Sequence, residues 1–392
     1  MLTENSGSSG LSPCATAANK SKFRFHLCCL AHIPTHPDIT SCAYSNKNMK
    51  LARMLKNLGH TVYAYVSEGS QVECEEMITV GTEAERIACY GVYDWKKEFF
   101  KHDPADHCHK NFNARSVGEI LLRKEERDFL LISMGNYQKP VADAAGIALT
   151  TEAGIGYTGI FAKYKIFESE AWRHYCYGLM HQGDINWYDT CIPNYYDPAD
   201  FVSSVPKGDY FLYVGRLISR KGLAIAVDVT KRIGTKLIVA GQGDLSNVDG
   251  MDLRAPHVQH IGSIGKQERA DLMTGAIGLF APTIYISPFE GVHAESLLCG
   301  TPVITTPVGV FSETVIDGFN GFKCHNLDEF MWAAKLAPSL PTEPIRKYAI
   351  SKFSMEVVAK QYQTYFEQLQ DLYSDGWNQL HAAPPQRFLS QP

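Results

Sequence analysis

Tyr213-Val214-Gly215-Arg216-Leu217-Ile218-Ser219-Arg220-Lys221-Gly222 is an apolar run that stops at a glycine, releases an arginine and presents a lysine before a helical pattern begins. A strand over 210–215 followed by a helix over 222–232 is one half of a βαβ unit. In a parallel sheet the loop between them lies at the carboxyl edge, where pyrophosphates bind, so Arg216 and Lys221 are candidate diphosphate clamps with Gly215 as the turn. Two solvated cations flanking a turn are the bland alternative, because Arg and Lys are normally exposed. Downstream the alternation continues: strand 236–240, a short strand near 258–261, helix 266–274, strand 277–281, helix 292–299 and strand 302–305. Such alternation predicts an α/β fold with a doubly wound parallel sheet.

Two more strand-to-loop junctions fall in this half. Ile238-Val239-Ala240-Gly241-Gln242-Gly243-Asp244 is a strand running into a glycine turn, generic when taken alone. Ser287-Pro288-Phe289-Glu290-Gly291-Val292-His293-Ala294-Glu295 opens a helix that runs on to Cys299-Gly300-Thr301-Pro302. A helix opening at a glycine-containing loop exposes unpaired N–H groups and the positive end of its dipole, which suits phosphate or sugar oxygens. Ser287, Phe289, Glu290, Gly291 and Val292 are therefore candidate contacts for such oxygens. One turn into the helix, Glu295 can accept hydrogen bonds from vicinal hydroxyls; otherwise it is a solvated helix carboxylate.

The amino half repeats the pattern. Phe23 to Leu30 is an apolar run, Asn46 to Leu58 has helical periodicity, Gly59 stands where a helix ends, and Thr61 to Val66 is β-branched and aromatic. Strand-like stretches at Phe129 to Met134 and Gly146 to Thr151 lead into glycine-containing loops. Pro193, Pro198 and Pro206-Lys207-Gly208 mark a change of composition. The expected organisation is a tail over 1–22, a first Rossmann-like domain over 23–190, a linker over 191–208, a second domain over 209–350 and a carboxyl-terminal segment over 351–392. In that last segment Ser354 to Tyr373 is an amphipathic helix, and the Pro-rich end from Ala382 is frayed.

Composition bounds the function. The 392 residues, 45% of them hydrophobic, suffice for two cores at roughly 150 residues per domain. With 37 Lys+Arg against 42 Asp+Glu, the net charge of -5 gives no global field toward nucleic acid or anionic lipid. Eleven scattered cysteines, an odd count without framework spacing, indicate reduced thiols and a cytoplasmic location. The adjacent Cys28 and Cys29 should point to opposite sides of their run. The start lacks the apolar core of a signal peptide, and no stretch approaches the about 18 to 20 apolar residues of a membrane helix.

Taken together, Gly-Arg-x4-Lys-Gly, Ala-Gly-x-Gly, Pro-Phe-x-Gly-x3-Glu-x3-Cys-Gly-Thr-Pro-Val-Ile, and then Gly309 with Ser312-Glu313-Thr314-Val315-Ile316-Asp317-Gly318-Phe319-Asn320-Gly321 resemble the retaining GT-B glycosyltransferases of family four, closely over about 190 to 365. The resemblance implies two Rossmann-like domains facing a cleft and a nucleotide diphosphate-sugar donor, UDP-linked for preference, bound mainly by the second domain. It implies a last helix that packs back on the first domain, an acceptor hydroxyl presented from the first domain, and no metal. The acceptor is a glycan, a small molecule or modified DNA, and peripheral membrane contact stays open. Arg216, Lys221 and Glu290 become the expected catalytic residues; Gly215, Gly241, Ser287, Phe289, Gly291, Val292 and Glu295 complete the donor site. Two other readings stand beside this one: a non-catalytic nucleotide-sugar sensor or partner subunit, and a transferase acting on hydroxylated bases in DNA.

Two departures from the family pattern bear on the donor. The family's first glutamate, eight residues before Glu295, is Ser287 here, and the following glycine is replaced by Glu290, whose carboxylate is the candidate substitute. The first loop, Ala31 to Thr40, lacks the family's paired glycines, leaving Thr40 or Ser41 as side-chain substitutes. His102, Asp103, His107, Cys108 and His109 suggest a metal site only weakly, because adjacent residues cannot all face one ion. Lys47, Lys50, Arg53 and Lys56 recur every three residues and read as a solvated helix face, with a phosphorylated acceptor, nucleic acid or anionic membrane as alternatives. Glu152 and Tyr157 are expected near the cleft, and the aromatic stretch Phe161 to Tyr177 in the core.

Overall fold

A computed structural model describes residues 22–373 except Thr40, Trp95, Lys97 and Ile185. The expected tail before Lys22, the role given to Thr40 and the frayed end from Ala382 therefore lie outside the described residues. Among those described, strands β1 (Arg24–Cys28), β2 (Thr61–Ser67), β3 (Glu76–Gly81), β4 (Phe129–Ile132), β5 (Leu149–Ile155), β6 (Tyr164–Phe167) and β7 (Thr190–Cys191) form one parallel sheet in the order β3-β2-β1-β4-β5-β6-β7. A second parallel sheet has the order β10-β9-β8-β11-β12-β13, from β8 (Tyr210–Val214), β9 (Lys236–Ala240), β10 (Val258–His260), β11 (Gly278–Ala281), β12 (Val303–Thr305) and β13 (Gly321–Lys323). Each order runs outward from its first strand and then reverses, so that β1 lies beside β4 and β8 beside β11. Loops leaving the carboxyl ends of such a pair diverge and open a crevice.

Packing follows from the strand pleat. Phe25, Leu27 and Cys29 enter one core with Leu51, Leu55 and Phe366, whereas Cys28 enters the core on the opposite face with Tyr65, Ile132 and Phe112. The two neighbouring thiols thus point apart, and the ten cysteines among the described residues are all free. The helix Met355–Asp371, capped by the Ser354 hydroxyl accepting from Val357 N–H, lays Val358, Tyr362, Phe366 and Leu369 on the first sheet. The Phe366 ring centroid lies 4.8 Å from that of Phe25, tilted, and 4.9 Å from that of Phe129, edge-on. The stretch Phe161 to Tyr177 is core: Phe167, Trp172, Cys176 and Tyr177 form a buried cluster.

Some elements escape the sequence patterns. β3, β6 and the helices Glu83–Tyr90, His107–Arg123 and Glu170–Leu179 have short or weakly periodic sequences. β5 begins at Leu149 rather than Gly146, because Gly146 is left-handed (φ 62°) and ends the helix Lys139–Ala145.

The basic stripe corrects a sequence expectation. Two of its four cations, Lys47 and Lys50, point inward rather than forming a solvated face. Lys47 is 3% exposed and its ammonium bonds Glu168 at 2.9 Å. Lys50 donates to Asn194 Oδ1 (3.1 Å) and the Tyr195 carbonyl (2.6 Å), and Arg53 pairs with Asp197 at 2.9 Å. Arg53, its side chain 40% exposed, and Lys56 keep to the expected solvated face. The first helix, Ala43–Asn57, is therefore tied through its cations to the chain that crosses between the two sheets.

Candidate active site

The loop after β8 is shaped by close backbone approach. A Cβ at Gly241 would lie 1.9 Å from the Gly215 carbonyl oxygen, and one at Gly222 would lie 2.0 Å from that of Pro282, so neither position admits a side chain. Gly215 N–H bonds the Ala240 carbonyl at 2.9 Å, which holds the two strand ends side by side. Arg216 emerges exposed at this edge with its guanidinium 5.4 Å over the Phe99 ring of the first domain. Arg220 lies 4.5 Å and Lys221 5.5 Å over the Tyr285 ring, which belongs to the loop after β11. Arg216 and Lys221 thus stand at the reversal point of the second sheet.

The loop after β11 supplies the opposing wall. Glu290 holds a left-handed backbone (φ 58°), uncommon outside glycine, immediately before the helix Gly291–Leu298. Its carboxylate bonds the Lys221 ammonium through both oxygens and accepts from Tyr285 Oη at 3.1 Å. At Gly291 a Cβ would lie 2.5 Å from Tyr196 Oη, so the helix start presses on the interdomain crossing. Phe289 differs from its expected role: its side chain is 1% exposed and packs on His293 and Phe353, making it a core residue that anchors the loop. Ser287 is fully buried and its hydroxyl lacks a hydrogen-bond partner in the structure. Val292 is partly buried against the second-domain core.

Glu295 lies one turn into the helix and pairs with Arg269 at 3.1 Å. Sequence reasoning missed Arg269, which sits on the helix Lys266–Gly275 without a motif of its own. His293 is fully buried; its Nδ1 lies 2.6 Å from the Glu290 carbonyl, and its Nε2 has no partner. Burial lowers its pKa to about 4.

Across the crevice the first domain touches these loops directly. Ser169 Oγ donates to the Pro288 carbonyl at 2.7 Å, and Glu313 accepts from the N–H groups of Glu170 and Ala171 at 3.0 and 2.7 Å, at the start of the helix Glu170–Leu179. Ser263 Oγ donates to the Lys96 carbonyl at 2.9 Å. Tyr44 donates to the Gly156 carbonyl at 2.7 Å, beside the Lys47–Glu168 pair. Glu152, fully buried with its pKa raised by burial, accepts from Phe161 and Ala162 N–H at 2.9 Å and from Tyr157 Oη at 3.2 Å. It organises the loop after β5 from within.

The histidine-rich motif starts the helix His107–Arg123, with Asp106 as its cap. Helical geometry separates its members: Cys108 donates to the Ala31 carbonyl at 3.3 Å, His107 is exposed, and His109 turns inward beside Tyr137. His102 and His109 meet His32, with ring centroids 5.1 and 5.6 Å from it, and burial pushes His32 down to about 3. Among the described residues no three His, Cys, Asp or Glu side chains converge as metal ligands.

Comparison with known proteins places this geometry. The family model of glycosyl transferases group 1 matches residues 208–340, the segment carrying the loops after β8 and β11. The uncharacterized glycosyltransferase MJ1178 of Methanocaldococcus jannaschii is 28% identical over 177 residues, 42% of this chain and 50% of its own. The chain spans half or less of the length of the curated relatives it matches most strongly. Among solved structures, AviGT4, a glycosyltransferase involved in avilamycin A biosynthesis, superposes with a TM-score of 0.65 at 19% identity over 88% of this chain and 98% of its own. Anabaena Alr3699/HepE in complex with UDP and glucose gives 0.64 at 14% identity over 90% and 100%. The loops after β8 and β11 thus lie in a segment related to glycosyl transferases group 1, and the chain that carries them has the GT-B fold.

Proposed function

We propose that this protein is a retaining glycosyltransferase that moves a sugar from a nucleotide diphosphate donor, UDP-linked, to an acceptor hydroxyl presented by the first domain. The observation that carries this reading is the gathering of Arg216, Arg220, Lys221 and the start of the helix Gly291–Leu298 at the reversal between β8 and β11. Cations and a helix N-terminus neutralise a leaving diphosphate without a metal. Alr3699/HepE, with the same fold, is described in complex with UDP and glucose, which favours UDP.

In this mechanism Arg216 and Lys221 hold the diphosphate, and Glu295, oriented by Arg269, accepts from the ribose hydroxyls. Gly215 and Gly241 let the backbone approach the phosphates, while Ser287, Gly291 and Val292 frame the sugar. Glu290 supplies the carboxylate that Ser287 does not. The bond from the anomeric carbon to the phosphate oxygen breaks as the acceptor oxygen bonds the same face, and the acceptor proton passes to the departing phosphate oxygen. No carboxylate pair of glycosidase type is required. The enzyme contributes position and a preorganised field.

The test is release of nucleoside diphosphate from UDP-, GDP- and ADP-sugars by wild type and Lys221→Ala. Slow release from one donor, lost in the variant, is the expected result. Binding of a donor without release, with or without acceptors, favours the sensor reading, for which Ser287 and the occupied Lys221 speak. Free thiols fit a cytoplasmic location, and no helix of the described residues is long and apolar enough to cross a membrane. A glycan or small-molecule acceptor suits the net charge of -5 better than DNA does.

A further inference from the structure

Lys221 is the cation best placed to bind a diphosphate, yet its ammonium already holds a carboxylate. Both Glu290 oxygens bond it, and the side chains are only 16% and 5% exposed, so the pair is largely withdrawn from water. Tyr285 adds a hydrogen bond to Glu290, and its ring carries Arg220 and Lys221 over it, so the carboxylate lies among the second domain's cations. Its backbone is left-handed, a conformation that L side chains other than Asn and Asp seldom adopt. Tolerating a glutamate there aims its side chain back at Lys221.

We propose that the Glu290 carboxylate is a built-in counterion that competes with the donor's diphosphate for Lys221, so that donor binding exchanges one anion for another. The inference rests on the nucleotide-donor reading and deepens it. A diphosphate arriving beside this largely buried carboxylate meets like-charge repulsion, and one ammonium cannot fully satisfy both. Glu290 therefore gives up Lys221 when the donor enters, which frees its carboxylate at the helix start beside the sugar. When the product nucleoside diphosphate leaves, Glu290 closes on Lys221 again, and Lys221 is never left without a counterion. The exchange sets donor affinity below what the cations alone would give and speeds product release.

The experiment is calorimetric titration of wild type, Glu290→Gln and Glu290→Gly with UDP, GDP, ADP, inorganic pyrophosphate and uridine. Glutamine keeps the shape and removes the charge; glycine also relieves the left-handed backbone, which guards against a folding defect. Both variants are expected to bind UDP and pyrophosphate about tenfold more tightly, with uridine unchanged. UDP binding that is unchanged or weaker in both variants would overturn the exchange. Equal tightening toward uridine would also overturn it, because the effect would then lie outside the diphosphate. Failure of UDP, GDP and ADP to bind any of the three proteins would remove the nucleotide-donor reading and the exchange together, whereas wild-type binding of UDP that ignores Glu290→Gln removes the exchange alone.

Discussion

Individual side chains at the crevice make sharp predictions. Lys221→Ala is expected to lower donor turnover about 100-fold, the scale on which removing one preorganised charge acts, measured as nucleoside diphosphate release. His293 predicts an acid limit. Enclosed by Phe289, Phe311 and Phe353 and facing the Glu290 carbonyl, its imidazole is pushed down by burial from the ordinary histidine pKa of about 6.5 to about 4. A depressed histidine pKa means that the unfolded chain binds more protons between those values. The stability His293 contributes is complete above pH 6.5 and is lost as pH falls toward 4, about 3 kcal/mol in all. Melting curves at pH 7, 5.5 and 4.5 should fall more steeply for wild type than for His293→Gln; equal slopes would remove His293 as the cause. Arg216, Lys221 and Glu295 were legible because a glycine after an apolar run and a helix opening at a loop have local signatures. Arg269 was not legible, since its partner is 26 residues away and only the fold brings the two helices together.

Secondary elements carry the next set of effects. The helix Met355–Asp371 shows clear apolar periodicity, and its docking on β1 and β4 buries Phe366 completely. Phe366→Ala should cost about 3 to 5 kcal/mol, read from denaturant midpoints, because it empties a site packed against the rings of Phe25, Phe129, Tyr362 and Tyr365. Gly241→Ala should do more damage than its size suggests: the added methyl meets the Gly215 carbonyl, so β8 and β9 must separate at their carboxyl ends. Loss of donor binding with little change in far-ultraviolet dichroism is the expected outcome. Lys47 and Lys50 show where element-level reasoning failed. A three-residue spacing of cations looks like a wet helix face, and what turns Lys47 and Lys50 inward is Glu168 and Asn194, which are more than 100 residues away.

At the scale of the whole molecule, the two sheets face each other through a few polar contacts rather than a continuous apolar interface. Glu313 caps the helix Glu170–Leu179 from across the crevice, and Ser169 holds the Pro288 carbonyl. Glu313→Ala should leave the melting temperature within about 1 °C, because Glu313 is exposed, while loosening the mutual orientation of the domains. Small-angle scattering with and without UDP would then show a larger radius of gyration for the empty variant than for the empty wild type. An identical profile would mean that other contacts set the orientation.

By itself, the sequence determined the α/β alternation, the placement of Arg216 and Lys221 after a strand, and the resemblance of the second half to a glycosyltransferase family, because each rests on residues within one turn or loop of each other. Tertiary structure alone decided that Phe289 is core, that Lys47 and Lys50 of the basic stripe face inward, and that Glu290 holds Lys221. Those facts depend on which distant charge or ring fills the space beside a residue, and local periodicity contains no information about that.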